Sequence, residues 1–537
     1  MTRLHRIPPM ALATAPLRPA GHLPNPCAML SVFDKGPFAP CPAPFNLAAY
    51  VLSHADRLAD KVALSVVGLS GAERWSYARL QAAVRGTGTG LLQAGFEPGD
   101  ILIMRLGNTV EFPIAYLGAI AAGLVPVPTS SQLTAREVQK MIEGLRPAGI
   151  LRDPSVPCPE TALPVLDTAE LLAMRDLPPV DWAMGDPDRL AYIVYTSGTS
   201  GKARAVMHAH RAIWARRMMH EGWYGLTEAD RLMHAGAFNW TYTLGTGLMD
   251  PWSVGATALI PAEGVAPEAL PLLMKRHEAT IFAAAPGVYR KILNHHESLV
   301  LPRLRHGLTA GEKISDQVRQ NWRNAGGGEL YEAFGMSECS TFISGSPSAP
   351  ASPGALGRPQ IGRRVAILDP EGAPVPLGEE GVIAVHRDDP GLMLGYHGAQ
   401  DEAEARMQGE WFLTGDHGRM DAEGQVTYMA RADDMMNAGG YRVSPLEVEA
   451  ALSDLPGITE IGVTDCEVKA DARLIIAFYT AQEPLDEAGL KIAATERLAR
   501  YKQPRAFVHL PELPRNPNGK LLRRALRDIW SAQREAP

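Results

Sequence analysis

The chain has 537 residues, 46% of them hydrophobic and 21% charged, a mix that suits a globular protein of more than one domain with an ample core. A formal net charge of −7 and the lack of any lysine- or arginine-rich run exclude a global basic field for nucleic acid or an anionic membrane. Cys27, Cys41, Cys158, Cys339 and Cys466 are scattered, odd in number and never in CxxC spacing, so a disulfide framework is not expected and a reducing cytoplasm is the simplest fit.

In chain order, residues 1–33 carry Arg3, Arg6 and Arg18 and no acid. That composition suits a transit peptide, but the segment is poor in serine and dense in helix-breaking prolines. A disordered extension or a mis-assigned start, with Met29 lying near the end of the segment, is the preferred reading. The apolar run 114–128 falls short of a membrane span and is interrupted by Gly118, Gly123 and Pro126, so it reads as a packed helix followed by a strand. No integral membrane association is expected.

Residues 190–195 read as a strand that empties into a loop, Thr196-Ser-Gly-Thr-Ser-Gly-Lys202, and a helix is expected after it because Ala205 accepts ordinary helical angles. Residues 256–260, 280–285 and the approach to Gly335 read as further strands, with helical spacing over 267–278 and 314–324. That alternation predicts parallel sheets wrapped by helices. Residues 363–368, 381–386 and 425–430 then read as antiparallel strands of a β-rich subdomain, with a turn at 421–424. Ser444-Pro-Leu-Glu447 is a capping box with proline at the first helical position. Beyond it, strands over 459–466, 473–480 and 506–510 and helices over 486–500 and 521–531 make a compact α+β unit. The expected fold class is therefore α/β: a large N-terminal domain of helix-wrapped sheets, 34–432, with the β-rich subdomain, and a small mobile α+β C-terminal domain, 433–537. The joint is too short for a tether and suits a hinge. The pairs His208/His210 and His295/His296 have no Cys or carboxylate cluster beside them and read as surface or satisfied histidines.

The loop is built to hold a polyphosphate. Gly198 and Gly201 permit close main-chain approach, Thr196, Ser197, Thr199 and Ser200 offer hydroxyl donors, and Lys202 supplies a cation. It is not a Walker A loop, which needs four residues between its glycines and a Ser or Thr after its lysine, where this chain has Ala203.

With its flanks, the loop resembles the phosphate-binding signature of the adenylate-forming enzymes, the superfamily of acyl-CoA synthetases, peptide-synthetase adenylation domains and firefly luciferase. Tyr331-Glu-Ala-Phe-Gly-Met-Ser-Glu338 resembles the family's second signature and Trp411-Phe-Leu-Thr-Gly-Asp416 its third. Ala430-Arg-Ala-Asp-Asp434 onward to Arg442 resembles its hinge, and Pro514-Arg-Asn-Pro-Asn-Gly-Lys520 its C-terminal lysine loop. The resemblance covers the chain from about Phe45 onward. Ala203, Arg204 and Ala205 depart from the usual Pro-Lys-Gly, and Gly439 from the usual Ser or Lys.

The resemblance implies roles residue by residue. Lys520 would bridge the acid's carboxylate and the α-phosphate, Glu338 would hold Mg²⁺, and Ser337 would touch the α-phosphate. Asp416 would accept both ribose hydroxyls, an acceptor-only group facing two donors. Arg431 and Arg442 would contact ribose or phosphate, and Gly311, Glu332, Ala333 and Phe334 would hold the adenine. Asp433 would be the hinge residue, with Gly439 and Gly440 lining the path of the CoA thiol. Phe238, Asn239 and Trp240 would line the acyl pocket, which Gly335, in place of the tryptophan of acetate-specific relatives, would leave deep.

The implied activity is that of an ATP-dependent acyl-CoA synthetase with ATP, Mg²⁺ and coenzyme A, acting on a short-to-medium-chain aliphatic or aromatic carboxylic acid. A homodimer is compatible with it. The alternative is a standalone adenylation enzyme that loads a carrier protein or an amine. A catalytically dead nucleotide-binding regulator is disfavoured, because it has no need of Lys520, Glu338 and Asp416 together.

Overall fold

A computed structural model describes residues 29–196, 204–431, 434–438, 441–469, 472–516 and 519–535. The expected architecture is present. A nine-stranded sheet forms the centre of the large domain, and its six middle strands, Leu330–Met336, His306–Ala310, Ile281–Ala283, Arg231–His234, Thr257–Pro261 and Val62–Val67, are all parallel. Strands such as Ile281–Ala283 are buried along their whole length because helices cover both faces, which is why they read as continuous apolar runs. A second, all-parallel sheet of four strands is built on Ile101–Arg105, and the helix Glu111–Ala121 feeds its edge strand Val125–Pro128, as the apolar run predicts. The β-rich subdomain is a six-stranded antiparallel sheet containing Arg364–Leu368, Gly381–His386, Trp411–Met420 and Val426–Arg431.

One expectation is overturned. The segment after the phosphate loop is a strand, Arg204–Ala209, and not a helix. It pairs antiparallel with Leu190–Thr196 and, on its other edge, with Gly395–Tyr396. Leu190–Thr196 thus belongs to a separate three-stranded sheet and not to the large parallel one.

In the small domain, Glu460–Lys469 and Ala472–Thr480 pair antiparallel, and Ala506–His509 adds in parallel. Helices Pro445–Leu452, Glu487–Arg497 and Arg523–Glu535 pack beside them. Ser444 caps the first of these, its hydroxyl accepting the Glu447 N–H at 3.4 Å. Only half of the predicted capping box forms, because the Glu447 carboxylate pairs with Lys502 instead of reaching back. No helix among the described residues is long and apolar enough to cross a membrane.

The interior keeps a set of histidines neutral. Burial pushes His208, His220 and His306 down to about 4, and His210 and His234 down to about 3. An unfolded histidine titrates near 6.5, so on acidification the unfolded chain takes up protons that the fold refuses, and stability is lost as pH falls below that value. Each such group contributes a slope of about 1.4 kcal/mol per pH unit below about 6. Asp416, Glu312 and Glu449, raised chiefly by burial, act in the opposite sense, but only near the carboxylate range. The melting temperature is expected to be nearly flat from pH 8 to 7 and to drop steeply from pH 6 to 5. A flat profile to pH 5 would show that these rings are protonated in place.

Candidate active site

The parallel strands deliver their C-terminal ends to one edge of the large sheet, where ligands bind in open α/β folds. Ala285, Gly311 and Ser337 follow three of those ends, and with Trp240 they line a cavity of about 270 Å³. The small domain closes it from the other side with Asn516 and Lys520. Two regions widely separated in sequence thus supply one site.

Lys520 is the feature of greatest chemical consequence. It lies in a loop tied by the Asn516 side chain, whose Oδ1 accepts the Lys520 N–H at 2.9 Å. The Arg515 guanidinium also donates to the Gly519 carbonyl at 2.7 Å. Burial, and then the Arg431 charge, lower the ammonium's pKa below the usual lysine value, with Asp416 and Asp434 pulling the other way. Its Nζ makes no hydrogen bond or ion pair among the described residues. A desolvated cation without a partner, in a cavity, is poised for an anion.

Asp416 is buried beside it, opposite Arg431 across the antiparallel pair. Tyr428 donates to its Oδ1 at 3.0 Å, and burial raises its pKa despite Arg431. Phe334 packs on Tyr428, ring centroids 5.4 Å apart, so an aromatic surface adjoins the carboxylate. Gly311 holds φ +97°, and a side chain there would approach the Trp240 indole at 3.2 Å. That approach sets the Trp240 indole against the turn that follows the strand His306–Ala310.

Other expected residues prove to be engaged. Glu332 accepts the Ile314 N–H at 3.1 Å and pairs with Lys313 and Arg319, so its carboxylate is committed to the fold. Ala333 is in the core. Glu338 uses Oε1 for both the Tyr396 hydroxyl, 2.7 Å, and Arg406, 2.8 Å. Its Oε2 has no partner among the described residues. The Ser337 carbonyl accepts from His208 Nε2 at 2.8 Å, and the His208 ring stacks on Tyr192 at 4.9 Å. Thr196 ends the strand Leu190–Thr196, and Arg442 sits on the strand Tyr441–Val443. Ser197, Gly198, Thr199, Ser200, Lys202, Asp433, Gly439 and Gly440 lie outside the described residues.

Of the residues expected at an acyl pocket, Trp240 and Gly335 line the cavity, whereas Phe238 and Asn239 do not. Phe238 is a core residue stacked on Phe112, ring centroids 6.0 Å apart. Gly335 also has a second reason to lack a side chain: a Cβ would fall 2.1 Å from the Ser340 carbonyl oxygen, where a bulge brings the neighbouring strand close. The cavity wall includes a group that the sequence reading does not single out, Arg216. Its Nε donates to Asp250 Oδ1 at 2.9 Å and its Nη2 to Oδ2 at 2.6 Å, inside the core. Tyr224 donates to the same carboxylate at 2.7 Å, and Thr246 accepts from Nη2 at 3.2 Å. Thr246 and Gly245 belong to a π-helix, Thr243–Met249, a wide winding that recurs at functional sites. Gly245 is needed there, since a Cβ would come within 2.4 Å of the guanidinium.

Four charges join the two domains. Arg290 of the large domain meets Glu460 at 3.1 Å and Glu312 at 3.3 Å, and Arg515 of the small domain meets Glu312 at 3.4 Å and Glu460 at 3.2 Å. The signs alternate around a closed ring, one corner of which is the residue after Gly311 and another the second residue of the Lys520 loop.

Known proteins resemble this chain in sequence and fold. Residues 52–397 match the family model described as AMP-binding enzyme, and residues 447–520 that of the AMP-binding enzyme C-terminal domain. The chain is 31% identical to the 4-hydroxybenzoate–CoA/benzoate–CoA ligase of Rhodopseudomonas palustris over 84% of this chain and 89% of that protein. It is 28% identical to the 3-hydroxybenzoate–CoA ligase of an Aromatoleum species, over 89% and 95% of the two chains. Among solved structures, ATP-bound MatB from Rhodopseudomonas palustris superposes with a TM-score of 0.82 at 25% identity, covering 90% of this chain and 98% of that one.

Proposed function

The chain belongs to the AMP-binding enzyme family, and from that premise we propose that it is an ATP-dependent acid:CoA ligase acting on a short-to-medium-chain aliphatic or aromatic carboxylic acid. The observation that carries this reading is the Lys520 ammonium, half-buried and without a partner among the described residues, in the cavity lined by Trp240, Gly311 and Ser337.

In the first step a carboxylate oxygen attacks the α-phosphorus of ATP and the bond to pyrophosphate breaks. Two anions must meet, so neutralisation and alignment are the problem to be solved. Lys520 supplies the cation between them, and the loop 196–202 holds the departing phosphates. Asp416, with Arg431 opposite, accepts the ribose hydroxyls. Glu338 fits a hard cation, since its Oε2 is unengaged while Tyr396 and Arg406 hold Oε1; Mg²⁺ completed by phosphate oxygens and water would neutralise phosphate charge there.

In the second step the CoA thiol sulfur attacks the acyl carbon, the bond to AMP breaks, and the thiol proton leaves to solvent. A groove of about 320 Å³ on the small domain, lined by Arg500, Tyr501 and Arg505, supports CoA as the acceptor, because it offers cations and an aromatic face to a phosphorylated nucleoside, while Arg473 on its wall is engaged by Asp465 at 2.7 Å. The site residues outside the described segments, with Asp433 as hinge and Gly439 and Gly440 on the thiol path, belong to the same proposal, as does the boundary at 432/433. The free cysteines Cys41, Cys158, Cys339 and Cys466 fit a reducing compartment.

The test is pyrophosphate release with ATP over a graded panel of linear and aromatic acids, followed by AMP release on adding CoA. Acid-dependent pyrophosphate release with CoA-dependent AMP release is expected. An acyl-adenylate that persists in CoA but is consumed by an amine or a carrier protein would favour the alternative reading.

A further inference from the structure

Ser340 combines three properties that do not ordinarily coincide. It lines the cavity, it holds φ +62° although it is not glycine, and its hydroxyl accepts a hydrogen bond from Arg216 Nη1. A left-handed non-glycine residue is unfavourable and persists where the surroundings enforce it, typically at a site that uses the geometry. Here the guanidinium occupies one lone pair of Oγ, and the Ser340 proton has no acceptor among the described residues. Arg216 is similarly incomplete. Nε and Nη2 are spent on Asp250, Thr246 and Tyr224, whereas Nη1 has only Ser340 for its two hydrogens. The wall therefore presents two unspent donors to the cavity.

Their charge environment narrows what they can hold. Asp250, wholly buried, neutralises Arg216 at 2.6 Å, and Tyr224 donates to the same carboxylate. A second carboxylate from a substrate would add an uncompensated negative charge to a desolvated wall, whereas a neutral oxygen would satisfy both donors without one. Ser340 and Arg216 line the cavity from the large domain, whereas Lys520 enters it from the small domain on the other side.

Resting on the ligase reading above, we propose that Ser340, with Arg216 behind it, is a specificity determinant, and that the acid this enzyme activates carries a neutral hydrogen-bond-accepting oxygen, a hydroxyl, ether or carbonyl, on the part remote from its carboxylate. A site built around such donors discriminates against the analogue lacking the acceptor, because the donors are then buried without partners.

The experiment compares kcat/KM for pyrophosphate release across matched acids of one carbon framework: unsubstituted, hydroxyl- or methoxy-substituted, and carboxyl-substituted. The parent enzyme is expected to favour one of the neutral oxygen-bearing acids at least tenfold over the unsubstituted acid. Ser340→Ala should cut that ratio about tenfold. Ser340→Gly removes the hydroxyl while relieving the backbone, so it should lose the preference equally with a melting temperature no lower than the parent's, which separates recognition from folding. An unchanged ratio in both variants, or a parent that prefers the unsubstituted or the carboxyl-substituted acid, overturns the proposal. If no acid in the panel releases pyrophosphate, the ligase reading itself fails and the proposal falls with it.

Discussion

Lys520→Ala is expected to lower acid-dependent pyrophosphate release by at least about 10²- to 10³-fold, the loss typical of removing one preorganised electrostatic donor from a transition state. The same variant should convert supplied acyl-adenylate and CoA to thioester at a rate close to the parent's, since no anion pair has to be brought together in that half. The pH dependence carries the same signature. Burial and the Arg431 charge depress the ammonium's pKa, so adenylation should decline on the alkaline side before the ordinary lysine range is reached, as the cation is lost with rising pH. The thioester half should not share that limb. Single-turnover measurements of the two halves from pH 7 to 10 check both statements. Equal losses in the two halves would remove Lys520 from its assigned role.

Asp250→Ala should be the most destabilising substitution near the site. Arg216 and Asp250 are both buried, and removing one member of such a pair leaves a desolvated charge, at a cost of about 3–5 kcal/mol. That is a large part of the 5–15 kcal/mol by which folded proteins are usually stable. Urea unfolding of the large domain should shift to a markedly lower midpoint, and Asp250→Asn, which keeps an acceptor for Nε, should shift it less. Replacing the pair together, Arg216→Met with Asp250→Leu, should recover much of the loss, because apolar groups of similar volume need no partner. A midpoint unchanged in Asp250→Ala would mean that Arg216 finds its compensation elsewhere.

The two domains and most strands were legible in the sequence because their periods are strong. The run 114–128 and the strand 381–386 contain little else to satisfy but burial, and Ser444-Pro445 marks a helix start by local chemistry alone. The strand Arg204–Ala209 was not legible. A phosphate loop leading into a helix is a common arrangement, and nothing in Ala-Val-Met-His-Ala contradicts it until Gly395–Tyr396, nearly two hundred residues later, supplies the second edge. Arg216 was hidden for a related reason. In sequence it is one of two adjacent arginines, and only folding brings it against Asp250, whose place in the apolar stretch Leu248-Met-Asp-Pro-Trp252 is the signal that could have raised the question. Phe238 misled in the opposite direction, because its neighbour Trp240 faces the cavity while Phe238 turns into the core.

The ring of Arg290, Glu312, Arg515 and Glu460 makes the domain joint a latch. In this structure the ring is closed with Lys520 in the cavity, and on the proposed hinge a rotation that withdrew the lysine would open the contacts Arg290–Glu460 and Arg515–Glu312 together. Its strength would then weight the two proposed orientations and leave the bond-making steps alone, each 1.4 kcal/mol of net attraction altering their ratio about tenfold. The corners are only partly exposed, so dissolved salt weakens the latch less than it would a fully exposed pair, over a screening length of about 8 Å at physiological ionic strength. On the proposed cycle, ionic strength would then act as a clutch, loosening the orientation that holds Lys520 in the cavity.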